Sequence, residues 1–362
     1  FITAKDLGPV MKIFSERHDR CCDLHKAIEK RAPVKLDYDE EAFKLSKLKA
    51  GERGYDSRKG KLDKLAEKVA AHDKLVEAAR AEIAKVDARI DAMRAKYAAD
   101  PEFQKHEALL DNGIDLARLT YPEVRTLRCQ MQYIFQDPYS SLNPRMTVAN
   151  IIGEGLLAHK YCKKANERMH EEILQTMEDC GLAPYFLHRY PHQFSGGQRQ
   201  RIGIARSLAV HPKFVVCDEA VSALDVSIQS QIINLLQDLK EQQHLTYLFI
   251  THDLSVVKYI SDRIGVMYLG NLVELADSQE IFDHPMHPYT EALLESIPTT
   301  EEKRDLAVLE GDIPSPVNPP KGCKFHTRCK YCTEICTHVV PDWEEVTPNH
   351  FVACHHKLHT NE

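Results

Sequence analysis

No G-x-x-x-x-G-K-[ST] phosphate loop occurs anywhere in these 362 residues. The nearest candidate, Gly54 to Gly60-Lys61, has one spacer residue too many and continues with Leu62. This stretch of chain therefore carries no cradle of that kind for the β- and γ-phosphates of a nucleotide. Also lacking is any apolar run near the roughly 18–20 residues that a bilayer-spanning helix needs. No signal-peptide pattern opens the sequence, because charged residues interrupt it from Lys5 onward. A cytosolic protein is expected, one that meets a membrane only through a partner. Excess positive charge is absent too: the formal net charge of −7 argues against a protein that coats nucleic acid. The first residue is Phe1 rather than Met, from which a fragment or a trimmed product is expected.

The length suggests about two domains, and a hydrophobic content of 43% is enough to bury a core. Cysteine is plentiful, with eleven residues, but uneven: five lie between Cys323 and Cys354. In a cytosolic chain such clustering reads as metal binding before disulfide bonding. Cys21, Cys22, Cys129, Cys162, Cys180 and Cys217 are scattered and read as buried or incidental thiols.

Three stretches differ in texture. Residues 1–107 are rich in Lys, Glu, Asp, Arg and Ala. From Leu62 an apolar series runs Leu65, Val69, His72, Val76, Ala79, Ile83, Val86, Ile90, Met93 and Tyr97, stepping alternately by three and four. That is a heptad seam, and Asp100-Pro101 ends it. A stripe two residues wide in seven needs a partner helix; residues 6–31, with Leu7, Val10, Phe14, Cys21, Leu24 and Ile28, can supply one. The segment reads either as a coiled-coil hairpin without chemistry or as a docking arm for another subunit. Residues 108–298 have an α/β texture, with helical patterns near 167–180, 196–209 and 227–242. Apolar runs at Phe214–Cys217, Thr246–Ile250 and Ile264–Tyr268 predict strands of a parallel sheet covered on both faces. Residues 299–362 read as a Pro-rich linker leading into a small Cys-rich extension.

The chemistry concentrates in the middle stretch. Phe214-Val215-Val216-Cys217-Asp218-Glu219 is a buried-strand pattern ending in two acids, which places both carboxylates at the carboxyl edge of a sheet, where nucleotides bind in such folds. One acid can hold magnesium through water and the next can polarise an attacking water. About 20 residues earlier, Ser195-Gly196-Gly197-Gln198 precedes a helix. Two glycines let backbone N–H groups approach a phosphate, the helix N-terminus favours an anion, and Ser195 can donate to a phosphate oxygen. The plainer reading of this turn is a helix cap. His252 follows the acids by about 33 residues, just after an apolar strand.

From about Asp111 to His355 the chain resembles the ATPase subunits of oligopeptide/dipeptide ATP-binding-cassette (ABC) importers. The resemblance rests on Ile134-Phe135-Gln136-Asp137-Pro138, Ser141-Leu142-Asn143-Pro144, Ser195–Gln198 with Arg199-Gln200-Arg201, and Cys217-Asp218-Glu219 with Ser222-Ala223-Leu224-Asp225. Thr251-His252-Asp253, Leu254-Ser255-Val256-Val257, His287-Pro288-Tyr289-Thr290 and Gly322-Cys323-Lys324-Phe325-His326 complete it. It implies an ABC ATPase-type nucleotide-binding domain, incomplete at its N-terminus, that hydrolyses ATP with Mg²⁺ to energise peptide import. Gln136 would be the Q-loop glutamine, Ser195, Gly196, Gly197 and Gln198 the signature motif, Asp218 the Walker B aspartate and Glu219 the catalytic base. Asp225 would be the D-loop aspartate and His252 the switch histidine. Expected partners are a second ATPase subunit in a head-to-tail dimer, integral membrane permeases and, indirectly, an extracellular peptide-binding protein; no nucleic acid is expected. The subunit would sit on the cytoplasmic face of the membrane, held there by the permeases.

Three departures from the family pattern stand out. The Walker A loop and the aromatic residue that stacks on adenine lie upstream of Phe1 or do not exist, so this stretch alone is expected not to bind ATP usefully at its own site. Ala220 stands where the subfamily usually has proline. The helical segment before Asp111 reads as an insertion. Cys323, Cys329, Cys336 and Cys354 are separated by 5, 6 and 17 residues, with Cys332 as a fifth candidate. In the resembling importers cysteines so spaced are associated with a 4Fe–4S cluster; a Zn²⁺ site and no metal at all are the alternatives. Two other functional readings stay open. One is a degenerate, non-hydrolytic subunit that only donates its signature face. The other is a soluble ABC protein of chromosome maintenance or translation that works through its coiled coil. The sequence does not select the peptide carried, nor an identical against a paralogous partner.

Overall fold

An apolar heptad stripe starts a helix but does not stabilise it until a second stripe covers it. In the computed structural model, which describes residues 8–108, 113, 115–296, 311–312 and 314–359, the second stripe comes from the same chain. Helices α1 (Gly8–Ser46) and α2 (Tyr55–Ala95) form an antiparallel hairpin, followed by α3 (Pro101–Ala108), α4 (Tyr121–Gln130), β1 (Met131–Ile134), α5 (Val148–Ala158) and α6 (Glu167–Asp179). Then come α7 (Gly196–Leu208), β2 (Phe214–Asp218), α8 (Val226–Gln243), β3 (Thr246–Ile250), α9 (Leu254–Ile260), β4 (Arg263–Tyr268) and β5 (Asn271–Asp277). The chain closes with α10 (Ser278–Asp283), α11 (Pro288–Glu295), α12 (Glu334–His338), β6 (Glu344–Thr347) and β7 (His350–Val352). Among the described residues no helix is long and apolar enough to cross a membrane.

The chain divides into two compact units. The first comprises Phe1–Gln132, Leu142–Phe194 and Ile202–Pro212. Here every seam position of α2 from Leu62 to Met93 is buried or half-buried, and only Tyr97, beyond the helix end, is exposed. Cross-helix ion pairs flank the seam: Arg17 with Asp87 at 2.6 Å, Arg89 with both oxygens of Glu16 at 3.0 Å, and Arg31 with Asp73. On α1 the expected partners Val10, Cys21 and Leu24 are half-buried, whereas Phe14 and Ile28 are exposed and Ile13 and Ala27 take the inner positions. Leu7 lies outside the described residues. A 3.5-residue repeat can be threaded through neighbouring positions in two ways, and the ion pairs are those of the phase adopted. The helix also continues well beyond residue 31, through Pro33. An interior proline costs about 3 kcal/mol, but Leu36 and Glu41 beyond it are buried. Glu41 binds Lys44 at 2.9 Å, and α2 answers it with Lys61 at 3.0 Å and Arg58 at 3.3 Å. Burial disfavours that carboxylate's charge, but the hydrogen bonds from Lys44 and Lys61 outweigh it and hold the group below its usual range. Lys47 pairs with Glu171 and Lys163 with Asp37, fastening the turn end of the hairpin to the segments around α6. In that region Ile151, Ile152 and Leu156 of α5 and Met169, Ile173 and Met177 of α6 are buried.

The second unit comprises Tyr133–Ser141, Ser195–Arg201 and Lys213–Glu362. Its first sheet has the order β1-β2-β3, with β2 and β3 parallel and in register from Phe214↔Thr246 to Asp218↔Ile250. Val215 and Cys217 are fully buried, as an all-apolar central strand requires. Coverage on both faces is not met at β3: Leu248 and Ile250 are about half exposed on this edge strand. The expectation for Ile264–Tyr268 is also corrected. That strand belongs to a second sheet of order β4-β5-β7-β6, antiparallel throughout, with Ile264, Val266 and Tyr268 buried on alternate positions. The Cys-rich tail is built into this sheet, because β7 pairs with β5 through Glu274↔Val352 and Leu275↔Phe351. Phe325 of the tail is buried among Tyr268, Val273, Ala276 and Ile281.

Candidate functional site

A parallel strand that ends in acids projects them from the sheet edge, and the next strand decides what they meet. Asp218 closes β2 opposite Ile250 of β3. Glu219 follows in the left-handed region with φ 43°, a conformation rare for a residue with a Cβ. Its N–H donates to the carbonyl of Ile250 at 2.9 Å, and Ser222 Oγ donates to its carbonyl at 3.0 Å. The backbone is thus pinned on both sides, as strained residues at functional sites commonly are.

Two sequence-predicted residues converge on the Glu219 carboxylate. Gln136 Nε2 donates to Oε2 at 2.6 Å, and His252 Nδ1 lies 3.3 Å from Oε1. Gln136 arrives just after β1 and His252 just after β3, so three strand ends meet at one group. The His252 side chain is 74% exposed and that of Glu219 28%, leaving the cluster open to a solvent-borne substrate. Asp218 accepts a hydrogen bond from the Tyr133 hydroxyl, which is thereby held above its ordinary pKa. Tyr133 belongs to none of the sequence motifs. Its signal was positional: it sits three residues before Gln136, on the strand beside the one that carries the acids.

Ser195 and Gln198 form a reciprocal cap at the start of α7: Ser195 N–H donates to Gln198 Oε1 at 3.1 Å, and Gln198 N–H donates to Ser195 Oγ at 3.4 Å. Capping is therefore one task of this segment. Gly197 has a packing reason of its own, since a Cβ there would stand 2.4 Å from Ile228 Cγ2 on α8. Gly197→Ala is expected to lower stability by about 1–3 kcal/mol, as overpacked sites do. Thermal unfolding of Gly197→Ala with Ile228→Ala should then recover much of the loss; no recovery would mean that the glycine is required for another reason. Asp225 accepts from Ile228 N–H at 3.4 Å as the cap of α8. The structure does not bring it, or Ser195–Gln198, into hydrogen-bond contact with the Glu219 group.

The cysteine cluster is a separate locality. Cys323, Cys329, Cys336 and Cys354 line one small cavity with His287, Phe325, His326, His355 and His356, while Cys332 stands exposed. Gly322, at φ 67°, makes the turn that seats Cys323: a Cβ at Gly322 would meet the Cys336 carbonyl oxygen at 2.4 Å, and Cys323 N–H donates to that same oxygen at 2.8 Å. Burial pushes the Cys329 thiol up to about 11 and the Cys354 thiol up to about 12. The expected metal centre is not formed as such: among the described residues no three His, Cys, Asp or Glu side chains are grouped to hold an ion.

Beside the cavity lies a network the sequence reading missed. Glu274 of β5 is fully buried and accepts from Met286 N–H at 2.6 Å, from His287 N–H at 3.1 Å and from His350 Nε2 of β7 at 2.8 Å. Burial lowers the His287 pKa to about 4, so that ring is neutral.

Parts of the chain that carry these clusters match known families. A model described as "ABC transporter" matches residues 95–222, and one described as "Oligopeptide/dipeptide transporter, C-terminal region" matches residues 273–336. The oligopeptide transport ATP-binding protein AppF of Bacillus subtilis is 52% identical over 253 residues, covering 68% of this chain and 76% of its own. The oligopeptide transport ATP-binding protein OppF of Haemophilus influenzae is 47% identical over 246 residues, covering 67% and 74%. Among solved structures, a dimeric bacterial ABC transporter cassette overlaps 46% of this chain and 72% of its own at 27% identity, with a TM-score of 0.42.

Proposed function

Because the chain belongs to the ATP-binding proteins of oligopeptide ABC transporters, we propose that it hydrolyses ATP to drive peptide import through separate permease subunits. The observation that carries the reading is the meeting of Gln136 and His252 on the Glu219 carboxylate, at the end of the strand that also carries Asp218. In this reading Glu219 accepts the proton of a water that attacks the γ-phosphate in line, while the P–O bond to the leaving ADP breaks. Gln136 orients that water, and His252 donates to the oxygens that gain negative charge. Asp218 is the hard-oxygen group that would hold Mg²⁺ through water, and the ion, when bound, neutralises charge on the β- and γ-phosphates. Ser195–Gln198 serve a nucleotide held by the opposing subunit of a head-to-tail dimer; that their own hydrogen bonds close on each other and not on the local carboxylate supports this. Residues 108–298 then form the ATPase domain, with the α1–α2 hairpin as a coiled-coil insertion and 299–362 as an extension. Attachment to the permeases places the subunit at the cytoplasmic face of the membrane. The test is uptake of a labelled oligopeptide mixture by proteoliposomes that contain the intact subunit, its partner ATPase and the permeases. ATP-dependent accumulation is expected, and uptake that ignores ATP overturns the reading.

The four cavity thiols are proposed to hold a 4Fe–4S cluster, with Zn²⁺ as the alternative. The four thiols share one cavity, which four histidines also line, and four thiolates suit such a cluster. Metal has to displace the thiol protons, so loading should weaken as pH falls. No step of hydrolysis is routed through the centre. Iron, sulfide and zinc analysis of anaerobically purified protein, with Cys329→Ser expected to lose most of the metal, decides between the occupants.

A further inference from the structure

The turn after Gln136 ends on an aromatic ring that the hydrolytic reading leaves unused. Asp137 Oδ1 accepts from Tyr139 N–H at 2.7 Å, and Ser141 N–H donates to the Asp137 carbonyl at 3.2 Å. This local turn fixes the direction in which Tyr139 leaves the backbone. The Tyr139 ring lies under the guanidinium of Arg199, whose central carbon is 4.0 Å from the ring centroid. Arg199 follows directly on the Ser195–Gln198 segment, in the first turn of α7. Its Nε is buried and makes no hydrogen bond. A guanidinium stacks on an aromatic face better than an ammonium does, which gives the choice of Arg a reason here.

We propose that Tyr139 and Arg199 are a positioning pair that ties the Gln136 turn to the signature helix, so that a shift of one moves the other. Gln136 reaches Glu219 at one end of this link, and Ser195–Gln198 lie at the other. Neither Tyr139 nor Arg199 touches a reacting group. The pair sets the relative placement of two segments that, on the functional reading above, act on different nucleotides of a dimer. The inference rests on that reading.

The test uses the intact subunit assembled with its partner ATPase and permeases in nanodiscs, with kcat and KM for ATP measured beside the unfolding temperature. Tyr139→Leu and Arg199→Gln are each expected to lower kcat about two- to fivefold, the equivalent of one cation–π contact. KM and the unfolding temperature should change little. Tyr139→Phe keeps the ring and should turn over as wild type. The double variant Tyr139→Leu, Arg199→Gln should be no slower than either single one, because the second change removes a contact already lost. Wild-type kcat in the single variants, multiplied losses in the double, or a Tyr139→Phe as slow as Tyr139→Leu each overturn the proposal. Glu219→Gln runs alongside: if it keeps full turnover, the hydrolytic reading fails and the positioning pair with it.

Discussion

Glu219→Gln is expected to reduce ATP turnover of the assembled transporter by a factor of about 10²–10⁴, the usual contribution of a positioned general base. The substitution is nearly isosteric, so the backbone bond to Ile250 and the contact with Gln136 have no steric reason to change. What it removes is the group that can take a proton. Nucleotide binding should survive, because charge on the γ-phosphate is met by other groups. A carboxylate left in place near an anionic nucleotide also repels it, so the variant should hold ATP at least as tightly as wild type. Phosphate release under single-turnover conditions separates chemistry from product loss. Turnover within tenfold of wild type would remove Glu219 from the role of base and leave the convergence on its carboxylate to a structural purpose. His252→Ala gives the companion result. It should slow the chemical step without restoring solvent attack, since one donor to the developing charge is lost while the base remains.

Much of this centre was legible because its parts are local. A strand that is apolar until its last residues has to deliver Asp218 and Glu219 at a sheet edge, and a Ser-Gly-Gly-Gln stretch has to begin a helix. Both patterns are set by chain neighbours, and the capping of Ser195 by Gln198 is of the same kind. The parts that were missed depend on pairing between distant segments. Tyr133 meets Asp218 only because β1 joins the sheet beside β2. Tyr139 meets Arg199 only because a turn and a helix start arrive at one place. The same holds for Ile264–Tyr268, whose apolar alternation fits either sheet type until its antiparallel partner β5 is known. On α1 the sequence pattern puts Phe14 in the seam, but the packed pair leaves it exposed and turns Ile13 inward, a choice that depends on the partner helix. Gly54 and Gly60-Lys61, the nearest match to a phosphate loop, prove to be the cap and second turn of α2, with Lys61 committed to Glu41. Spacing alone, one residue too long, had already argued against it.

Glu274→Leu should be the most damaging single change outside the ATP centre. The carboxylate is fully buried and accepts three hydrogen bonds, from two backbone N–H groups and the His350 ring. A leucine fills the volume but leaves all three donors unpaired in a place water does not reach. Each buried donor left without its acceptor costs about 1–3 kcal/mol. The damage should be local first, because the bonds fasten β7 and the residues before α11 to β5. These are the attachments of the Cys-rich tail. Limited proteolysis is then expected to release fragments cut within residues 311–359 before the β1-β2-β3 sheet is attacked, and the first thermal transition should fall. Glu274→Gln discriminates between charge and hydrogen bonding. Its one carbonyl oxygen can keep a backbone N–H or His350, but its amide brings a fourth donor toward donors. It should lie between wild type and Glu274→Leu. A Glu274→Gln as stable as wild type would mean that the site needs an acceptor and not a charge. A Glu274→Leu as stable as wild type would mean that the tail is held by its apolar contacts around Phe325, with the buried network contributing little.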